Sequence, residues 1–176
     1  YQNPKYRLTI NHEEPYLICR LQKKRYAKEA CYDQMNSYVV KTTPTFIKAL
    51  SVANKTAESG FVETAVTGVA VYSAMVSLAG GENLNSYITD CGALSGTLKD
   101  VCAEGFAVGL IENGNPGEEY VAAIAACAKS GALAEACFRG VSLAVRDRLD
   151  PAIYERVCSD IAKEGGVEIG QECLNI

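Results

Sequence analysis

Apolar and small residues recur along this chain with the spacing of amphipathic α-helices. Between residues 98 and 110 these residues are spaced at i, i+3, i+4, i+7 and i+8, and the spacing continues for one more turn. They are Leu98, Val101, Cys102, Gly105, Phe106, Gly109 and Leu110. The turn-forming run from Asn113 to Gly117 then ends the helical pattern, and Glu118 and Glu119 open a second apolar run that extends to Cys127. Strict apolar alternation is rare, so the pattern predicts an all-α fold without a substantial sheet.

The same succession of two helices and a turn recurs before and after this segment. Asp150 and Pro151 are expected at the cap and first position of one helix, and Thr43 and Pro44 at those of another. The first unit is predicted to start with only a second helix, at about residues 16–24. Residues 1–15 are expected to form an extended, polar N-terminal arm.

The spacing of the eight cysteines indicates that the helical pattern repeats along the chain. They form four consecutive couples with separations of 12, 11, 10 and 15 residues: Cys19/Cys31, Cys91/Cys102, Cys127/Cys137 and Cys158/Cys173. First members of the last three couples are 36 and 31 residues apart, and second members are 35 and 36 apart. Ala53 and Ala65 stand where a further couple is expected, 34 residues beyond Cys19 and Cys31. A fixed period in the mid-thirties predicts an array of repeats.

A glycine follows the second member of three couples by three residues. These glycines are Gly68, Gly105 and Gly140, whereas Gln34 occupies the place in the first unit. We therefore expect one helical-repeat domain over residues 16–176, an α-solenoid of antiparallel helical hairpins with a period of about 35. Its units are predicted around 16–56, 57–94, 95–130 and 131–165, with a partial unit at 166–176.

The cysteine couples have three interpretations. Zinc sites usually need cysteines two to four residues apart, and this chain has no C-x-x-C and a single histidine, His12. Reduced, buried thiols are the second interpretation. Local disulfides are favoured, because antiparallel helices bring residues 10–15 apart across a turn within bonding range. Each would contribute on the order of 3 kcal/mol in the chain-entropy model and would indicate an oxidising compartment.

Helical hairpins of this length resemble the tetratricopeptide and Sel1-like repeats, and the cysteine-rich secreted Sel1-like group most closely. The run YVAAIAACAKSGALAEACFRGV is similar to that group's hairpin junction. The resemblance covers roughly residues 19–173 and implies that a disulfide links the second helix of one repeat to the first helix of the next. The Leu-Gly-x-x-Tyr and Gly-x-Gly-Val signatures of Sel1 repeats are missing, and the cysteine spacing is longer.

Composition narrows the function classes. The chain has 176 residues, is 48% hydrophobic and 22% charged, and carries a net charge of −4, which argues against disorder and against a nucleic-acid or anionic-membrane surface. No stretch approaches ~20 uninterrupted apolar residues, so no membrane-spanning segment is expected. The absence of an initiator methionine suggests a processed chain or a fragment.

Few residues are candidates for a catalytic, metal-binding, phosphate-binding or glycosylation site. His12, beside Glu13 and Glu14, is a candidate proton or metal site, but a lone histidine in a polar arm is more often solvated. Without a second histidine no ordinary nucleophile triad forms, and paired cysteines cannot be nucleophiles. Gly80-Gly81 and the glycines of residues 114–117 are expected in turns, since no Lys-Ser/Thr follows them. Asn54 begins a sequon that is a candidate glycosylation site.

Charge and aromatic residues are unevenly distributed. A basic run could bind an anion or an acidic partner, although a solvated turn is the simpler interpretation: Arg20, Lys23, Lys24, Arg25 and Lys28. Tyrosines in second helices should pack, and exposed ones in the N-terminal half would be contact anchors. The closing residues VEIGQECLNI are apolar enough to leave an open edge. Either the chain is cut from a longer array or a neighbouring molecule covers that edge.

The sequence thus favours a non-catalytic, secreted or periplasmic scaffold that binds protein partners or copies of itself. One version is a subunit of an extracellular head-to-tail assembly, joined end to end, with the N-terminal arm reaching onto a neighbour. The alternative is a secreted small-molecule-binding or hydrolytic protein, which the resemblance implies through the penicillin-binding members of the Sel1-like group. We expect no catalytic residue, cofactor, metal or nucleic-acid partner.

Overall fold

The computed structural model describes residues 10–115, 117–148 and 150–176. Within these ranges the regular secondary structure is helical, which confirms the all-α prediction. Short 3-10 turns precede two of the helices, at Ser59–Phe61 and Gly131–Leu133. The helices are α1 Leu17–Arg20, α2 Arg25–Thr42, α3 Phe46–Thr56, α4 Val62–Gly80, α5 Leu84–Cys91, α6 Leu98–Asn113, α7 Glu119–Cys127, α8 Ala134–Arg148, α9 Pro151–Gly165 and α10 Val167–Asn175.

Helices two apart along the chain pack side by side and form two rows. One row contains α2, α4, α6, α8 and α10 in chain order, and the other contains α3, α5, α7 and α9. Each helix also contacts the helix that follows it. The buried side chains form one continuous core along both rows, which ranges from Tyr16 to Cys173.

Directions within the rows follow from individual contacts. Glu104 of α6 contacts Arg139 of α8, and Glu112 contacts Arg148, so α6 and α8 run in the same direction. Consecutive helices run oppositely, as α9 and α10 illustrate. The Tyr154 hydroxyl donates to the carbonyl oxygen of Cys173, whereas Ala162, further along α9, lies against Gly170, earlier in α10.

Several helix ends lie where local chemistry predicts them. The Asp150 carboxylate accepts a hydrogen bond from the backbone N–H of Ala152 at 2.9 Å, and Pro151 is the first residue of α9. The prediction for α3 was wrong by two residues. Thr43 instead ends α2, because its N–H and its hydroxyl both donate to the carbonyl of Val39, and Thr45 caps α3.

The N-terminal region differs from its expected extent. Helix α1 covers only Leu17–Arg20, not the predicted 16–24. Of the expected extended arm, residues 1–9 lie outside the described residues, and residues 12–16 form bends and a turn. Ile10 packs against the core, and Tyr16 is fully buried. The predicted unit boundaries at 56/57, 94/95, 130/131 and 165/166 fall between helices.

Helix α4 is the longest of the described helices and is strongly apolar. Together with the preceding 3-10 turn it gives a 22-residue helical segment, Ser59–Gly80, that is long and apolar enough to cross a membrane by length and composition. Here α4 packs between α2 and α6 and also against α3. A helix covered by neighbours on several sides needs the same apolar composition, so composition alone does not distinguish the two settings.

Candidate functional site: disulfide junctions and interaction surfaces

The eight cysteines are joined in the four couples that their spacing predicts. The bonds are Cys19–Cys31, Cys91–Cys102, Cys127–Cys137 and Cys158–Cys173, with Cα–Cα distances of 5.4–5.6 Å. They connect α1 with α2, α5 with α6, α7 with α8, and α9 with α10. Three bridges therefore join a helix of one row to the next helix of the other row, and the first joins α1 to α2.

The junction between α3 and α4 has no cysteine and is closed by packing. Ala53 of α3 and Ala65 of α4, the residues expected in place of a couple, are both fully buried. The two helices contact each other directly. Small side chains here occupy the interior of a junction that elsewhere contains a disulfide.

The repeated glycines lie where neighbouring helices of one row approach each other closely. A Cβ on Gly140 would stand 2.4 Å from the carbonyl oxygen of Glu104, and a Cβ on Gly105 would stand 3.0 Å from that of Thr67. At Gly68 the space is filled by the side-chain amide of Asn36. The pattern that marked the repeat in the sequence thus corresponds to helix–helix contact points within one row.

Three aromatic side chains stack on one another near the junction of α1 and α2. Tyr16, Tyr32 and Phe61 have successive ring-centroid distances of 5.0 Å. The Tyr16 hydroxyl donates to the Asn36 side-chain oxygen at 2.6 Å, and the Glu58 N–H donates to the Tyr32 hydroxyl at 2.9 Å. Burial raises the pKa of Tyr16 well above its usual range, and the pKa of Tyr32 is raised mainly by burial too. Both phenols therefore stay neutral and serve as structural hydrogen-bonding groups.

A second aromatic cluster links three helices in the middle of the chain. Tyr87 of α5 stacks on Phe106 of α6 at 5.3 Å and lies 5.2 Å from Phe46 of α3. Its hydroxyl donates to the carboxylate of Glu82. Burial, together with this hydrogen bond and the negative charge of Glu82, raises the pKa of Tyr87 to about 12. The packing role expected for tyrosines in second helices is met here.

Gly81, Gly114 and Gly117 lie in turns or bends, as expected, whereas Gly80 is the last residue of α4. Gly81 ends α4 in the left-handed conformation, with φ +66°. In the turn after α6, the N–H of Gly117 donates to the carboxylate of Glu119 at 2.9 Å. The Asn113 side-chain amide donates to the carbonyl of Gly109. These polar groups stabilise their own turns.

His12 lies on the surface and contacts one aromatic residue. Its Nδ1 is 2.5 Å from the hydroxyl of Tyr38, and the ring is exposed. Glu14 is paired with Arg20. The part of the chain that the structure describes contains no group of three or more His, Cys, Asp or Glu side chains placed to hold a metal ion.

Among the described residues, three of the five cationic side chains of the basic run form ion pairs. Arg20 pairs with Glu14, Arg25 with Glu29, and Lys28 with Glu58. Lys24 lies over the exposed ring of Tyr26, with Nζ 5.8 Å from the centroid. Of the six tyrosines before residue 40, Tyr16 and Tyr32 are buried, Tyr38 is half-buried and Tyr26 is exposed, while Tyr1 and Tyr6 lie outside the described residues.

The candidate glycosylation residue Asn54 is exposed in the last turn of α3. The hydroxyl of Thr56, the third residue of the sequon, donates to the carbonyl of Val52 at 2.8 Å. The asparagine is thus on the surface, and its sequon lies in the last turn of α3.

No protein-family model, curated protein or solved structure matches this chain. The resemblance to Sel1-like repeats therefore stays a prediction made from the sequence pattern.

Surface grooves follow the helix rows. One, with a volume of about 330 Å³, lies between α7 and α9; Tyr120 and Ile124 line it, and Lys129 and Asp160 are among its charged residues. Another, of about 430 Å³, lies between α9 and α10 and has a largely apolar lining that includes Ala162, Val167 and Leu174.

Sequence reasoning missed three contacts between neighbouring helices of a row. Arg139 pairs with Glu104 at 2.6 Å, and Arg148 pairs with Glu112 at 2.5 Å. Arg156 donates to the Tyr120 hydroxyl at 2.6 Å, and its guanidinium lies over the ring. These partners are 35 or 36 residues apart in the sequence. A search for complementary side chains about 35 residues apart, the spacing expected from the sequence, could have found them.

Proposed function

We propose that this protein is an α-solenoid of about 35-residue helical hairpins that acts as a non-catalytic interaction scaffold outside the cytoplasm. The observation that carries the proposal is the nearly equal offset between α6 and α8 in one row and between α7 and α9 in the other. Glu104–Arg139, Glu112–Arg148 and Tyr120–Arg156 are separated by 35, 36 and 36 residues. Equal offsets in both rows are what stacked copies of one structural unit produce.

The disulfides support an extracytoplasmic location. Four bridges join helices within one chain, and such bonds persist in oxidising compartments. A solenoid depends on the interfaces between neighbouring units, so covalent links at four of these junctions stabilise the interfaces directly, whereas the α3–α4 junction relies on packing. The connection from a second helix to the next first helix is also what the resemblance to the cysteine-rich Sel1-like group implies.

A scaffold role agrees with the distribution of polar groups. The charged pairs Glu104–Arg139 and Glu112–Arg148 lie on the surface and join neighbouring helices. The hydroxyls of Tyr16 and Tyr32 are engaged in structural hydrogen bonds. A solenoid presents an extended surface to protein partners or to copies of itself, which is the usual function of this architecture.

Deletion of one complete period tests the architecture. Removing residues 95–130 takes out α6 and α7 with Cys102 and Cys127, and it reduces the separation of Cys91 and Cys137 from 46 to 10 residues. That equals the separation in the natural Cys127–Cys137 bridge. We expect the shortened chain to fold cooperatively with three disulfides, one of them Cys91–Cys137, because α5 and α8 then meet as α7 and α8 do.

The disulfides are counted by intact mass before and after reduction and alkylation, and the new bridge is located by peptide mapping. Removal of residues 95–112 alone is the matched control, because it deletes α6 without its partner and puts the rows out of register. We expect the control to give mixed disulfides and a non-cooperative thermal transition. If the full-period deletion behaved like the control, or if the natural chain were alkylated without reduction, the proposal would be wrong.

A further inference from the structure

We propose that a cavity lined by α2, α3, α4 and α5 binds a small amino alcohol, with the ammonium group at Glu82 and the hydroxyl group at Ser73. The cavity has a volume of about 180 Å³, and its lining lies within residues 40–87. Three observations support the inference: a carboxylate without a cationic partner, an aromatic wall, and a buried hydroxyl without a hydrogen bond. The inference goes beyond the proposed scaffold function and does not depend on it.

The carboxylate belongs to Glu82, the only charged residue among the described residues that line the cavity. It accepts a hydrogen bond from the Tyr87 hydroxyl and forms no ion pair with another described residue. Burial raises the pKa of Tyr87 most, followed by its hydrogen bond to Glu82 and by the negative charges of Glu82 and Asp90. A negative environment with unused acceptor capacity favours a cationic ligand and disfavours an anion.

Two aromatic rings form part of the cavity wall. Phe46 of α3 and Tyr87 of α5 both line the cavity, and their centroids are 5.2 Å apart. Phe106 stacks on Tyr87 at 5.3 Å and holds that ring in place. Aromatic faces attract organic cations, whereas Ca²⁺ takes about six to eight oxygen ligands. One carboxylate beside two rings therefore suits an ammonium group better than Ca²⁺.

The unpartnered hydroxyl belongs to Ser73 of α4. Of the four buried serines in the described chain, three donate to a backbone carbonyl: Ser77, Ser130 and Ser142. Ser73 is 3% exposed and forms no hydrogen bond with another described residue. It lines the cavity, so a ligand there can reach its hydroxyl. A buried polar group without a partner costs free energy, and a ligand that bonds to it removes this cost.

The position of the two polar groups defines the class of ligand. Glu82 is exposed beyond the end of α4, whereas Ser73 is buried within that helix, so they mark the solvent side and the inner side of the cavity. Val40 and Val76 contribute apolar surface to the lining. A ligand that meets both groups needs an ammonium group, a short apolar chain and a second polar group. A hydroxyl suits Ser73, because each hydroxyl can both donate and accept.

Titration of the full chain with aminobutanol, with its amine and hydroxyl at opposite ends, tests the site. We expect saturable changes in amide chemical shifts at residues 40–49, 73–76 and 82–87, with a Kd on the order of 1 mM. Pentylamine has a methyl group in place of the hydroxyl and should bind about fivefold more weakly. Butanediol has a hydroxyl in place of the ammonium group and should bind about tenfold more weakly.

Two variants assign the ends of the ligand. Glu82→Gln keeps the shape of the side chain but removes its charge, so it should weaken aminobutanol binding about tenfold and abolish the preference over butanediol. Ser73→Ala should weaken aminobutanol binding about fivefold and abolish the preference over pentylamine. Because the Ser73 hydroxyl has no partner in the described chain, Ser73→Ala should leave the thermal stability of the unliganded protein unchanged.

The matched control is Glu63→Gln, which removes an exposed carboxylate without an ion pair at the other end of α4. It should bind all three probes like the natural chain. Circular dichroism and intact mass establish that every variant is folded with four disulfides.

The proposal is overturned if aminobutanol causes no saturable shifts at these residues or if butanediol binds as tightly. It is also overturned if Glu82→Gln binds aminobutanol like the natural chain, or if Ser73→Ala keeps the preference over pentylamine. Any of these results leaves the scaffold proposal standing, because the period deletion tests that proposal separately.

Discussion

Gly140 faces the backbone of α6 so closely that a Cβ there would lie 2.4 Å from the carbonyl oxygen of Glu104. Gly105 makes the corresponding approach to Thr67 of α4. Because the opposing atoms belong to helix backbones, they cannot move aside by rotating a side chain. Glycine at these places thus determines the distance between neighbouring helices of a row.

Replacing Gly140 by alanine should therefore destabilise the fold despite the higher helix propensity of alanine. We expect Gly140→Ala to lower the free energy of unfolding by about 2 kcal/mol, the usual effect of overpacking a core. Chemical denaturation monitored by circular dichroism measures the change. Gly60→Ala is the control, because a Cβ there meets nothing within 4 Å. Equal stability of the two variants would show that the helices separate without cost.

At the scale of elements, helix ends were predictable wherever a short polar motif sets them. Asp150 and Pro151 start α9 as expected, because a cap and a fixed φ act within a few residues. Thr43 is of a residue type that often caps helices, but its hydroxyl donates to the carbonyl of Val39 and it therefore ends α2. Helix α1 is shorter than its apolar pattern suggested. Competition between adjacent helices for the same residues decides such cases.

Loss of the α9 cap gives a test at this scale. Asp150→Ala should lower the free energy of unfolding by about 1 kcal/mol, because the N–H of Ala152 loses its acceptor. Asp150→Asn keeps an acceptor oxygen and should retain most of the stability. Asp147→Ala removes a nearby exposed carboxylate that caps nothing, and it should have little effect. If Asp147→Ala were as destabilising as Asp150→Ala, local charge rather than capping would be responsible.

For the whole molecule, the rows of helices make stability depend on neighbours. Helix α10 packs only against α8 and α9 in the described structure, whereas α6 has neighbours on both sides in its row. The same kind of disulfide therefore serves two different purposes. At the end it holds a terminal helix in place, and in the centre it supports an interface that extensive packing also stabilises.

Two paired cysteine variants should separate these purposes. Replacing Cys158 and Cys173 by serine should expose the amides of α10 to hydrogen exchange and leave the protection of α4 and α6 nearly unchanged. Replacing Cys91 and Cys102 should lower the global free energy of unfolding by about 3 kcal/mol without opening one helix selectively. Mass spectrometry of hydrogen exchange, resolved by peptide, measures both. Loss of protection throughout the chain in the first variant would contradict a nearest-neighbour stack.

The amino-acid sequence by itself determined the all-α class, the approximate place of most helices and the pairing of the cysteines, because these depend on short-range spacings along the chain. Only the tertiary structure decided which side chains meet across a row. Glu104 and Arg139 are paired, and the Asn36 amide covers Gly68, because of how far apart the helices lie and how they are rotated. It also decided that Tyr16 and Tyr32 are buried while Leu21, Val167 and Leu174 are exposed. Apolar residues of one helix look alike in the sequence, and only the placement of neighbouring helices separates core from surface.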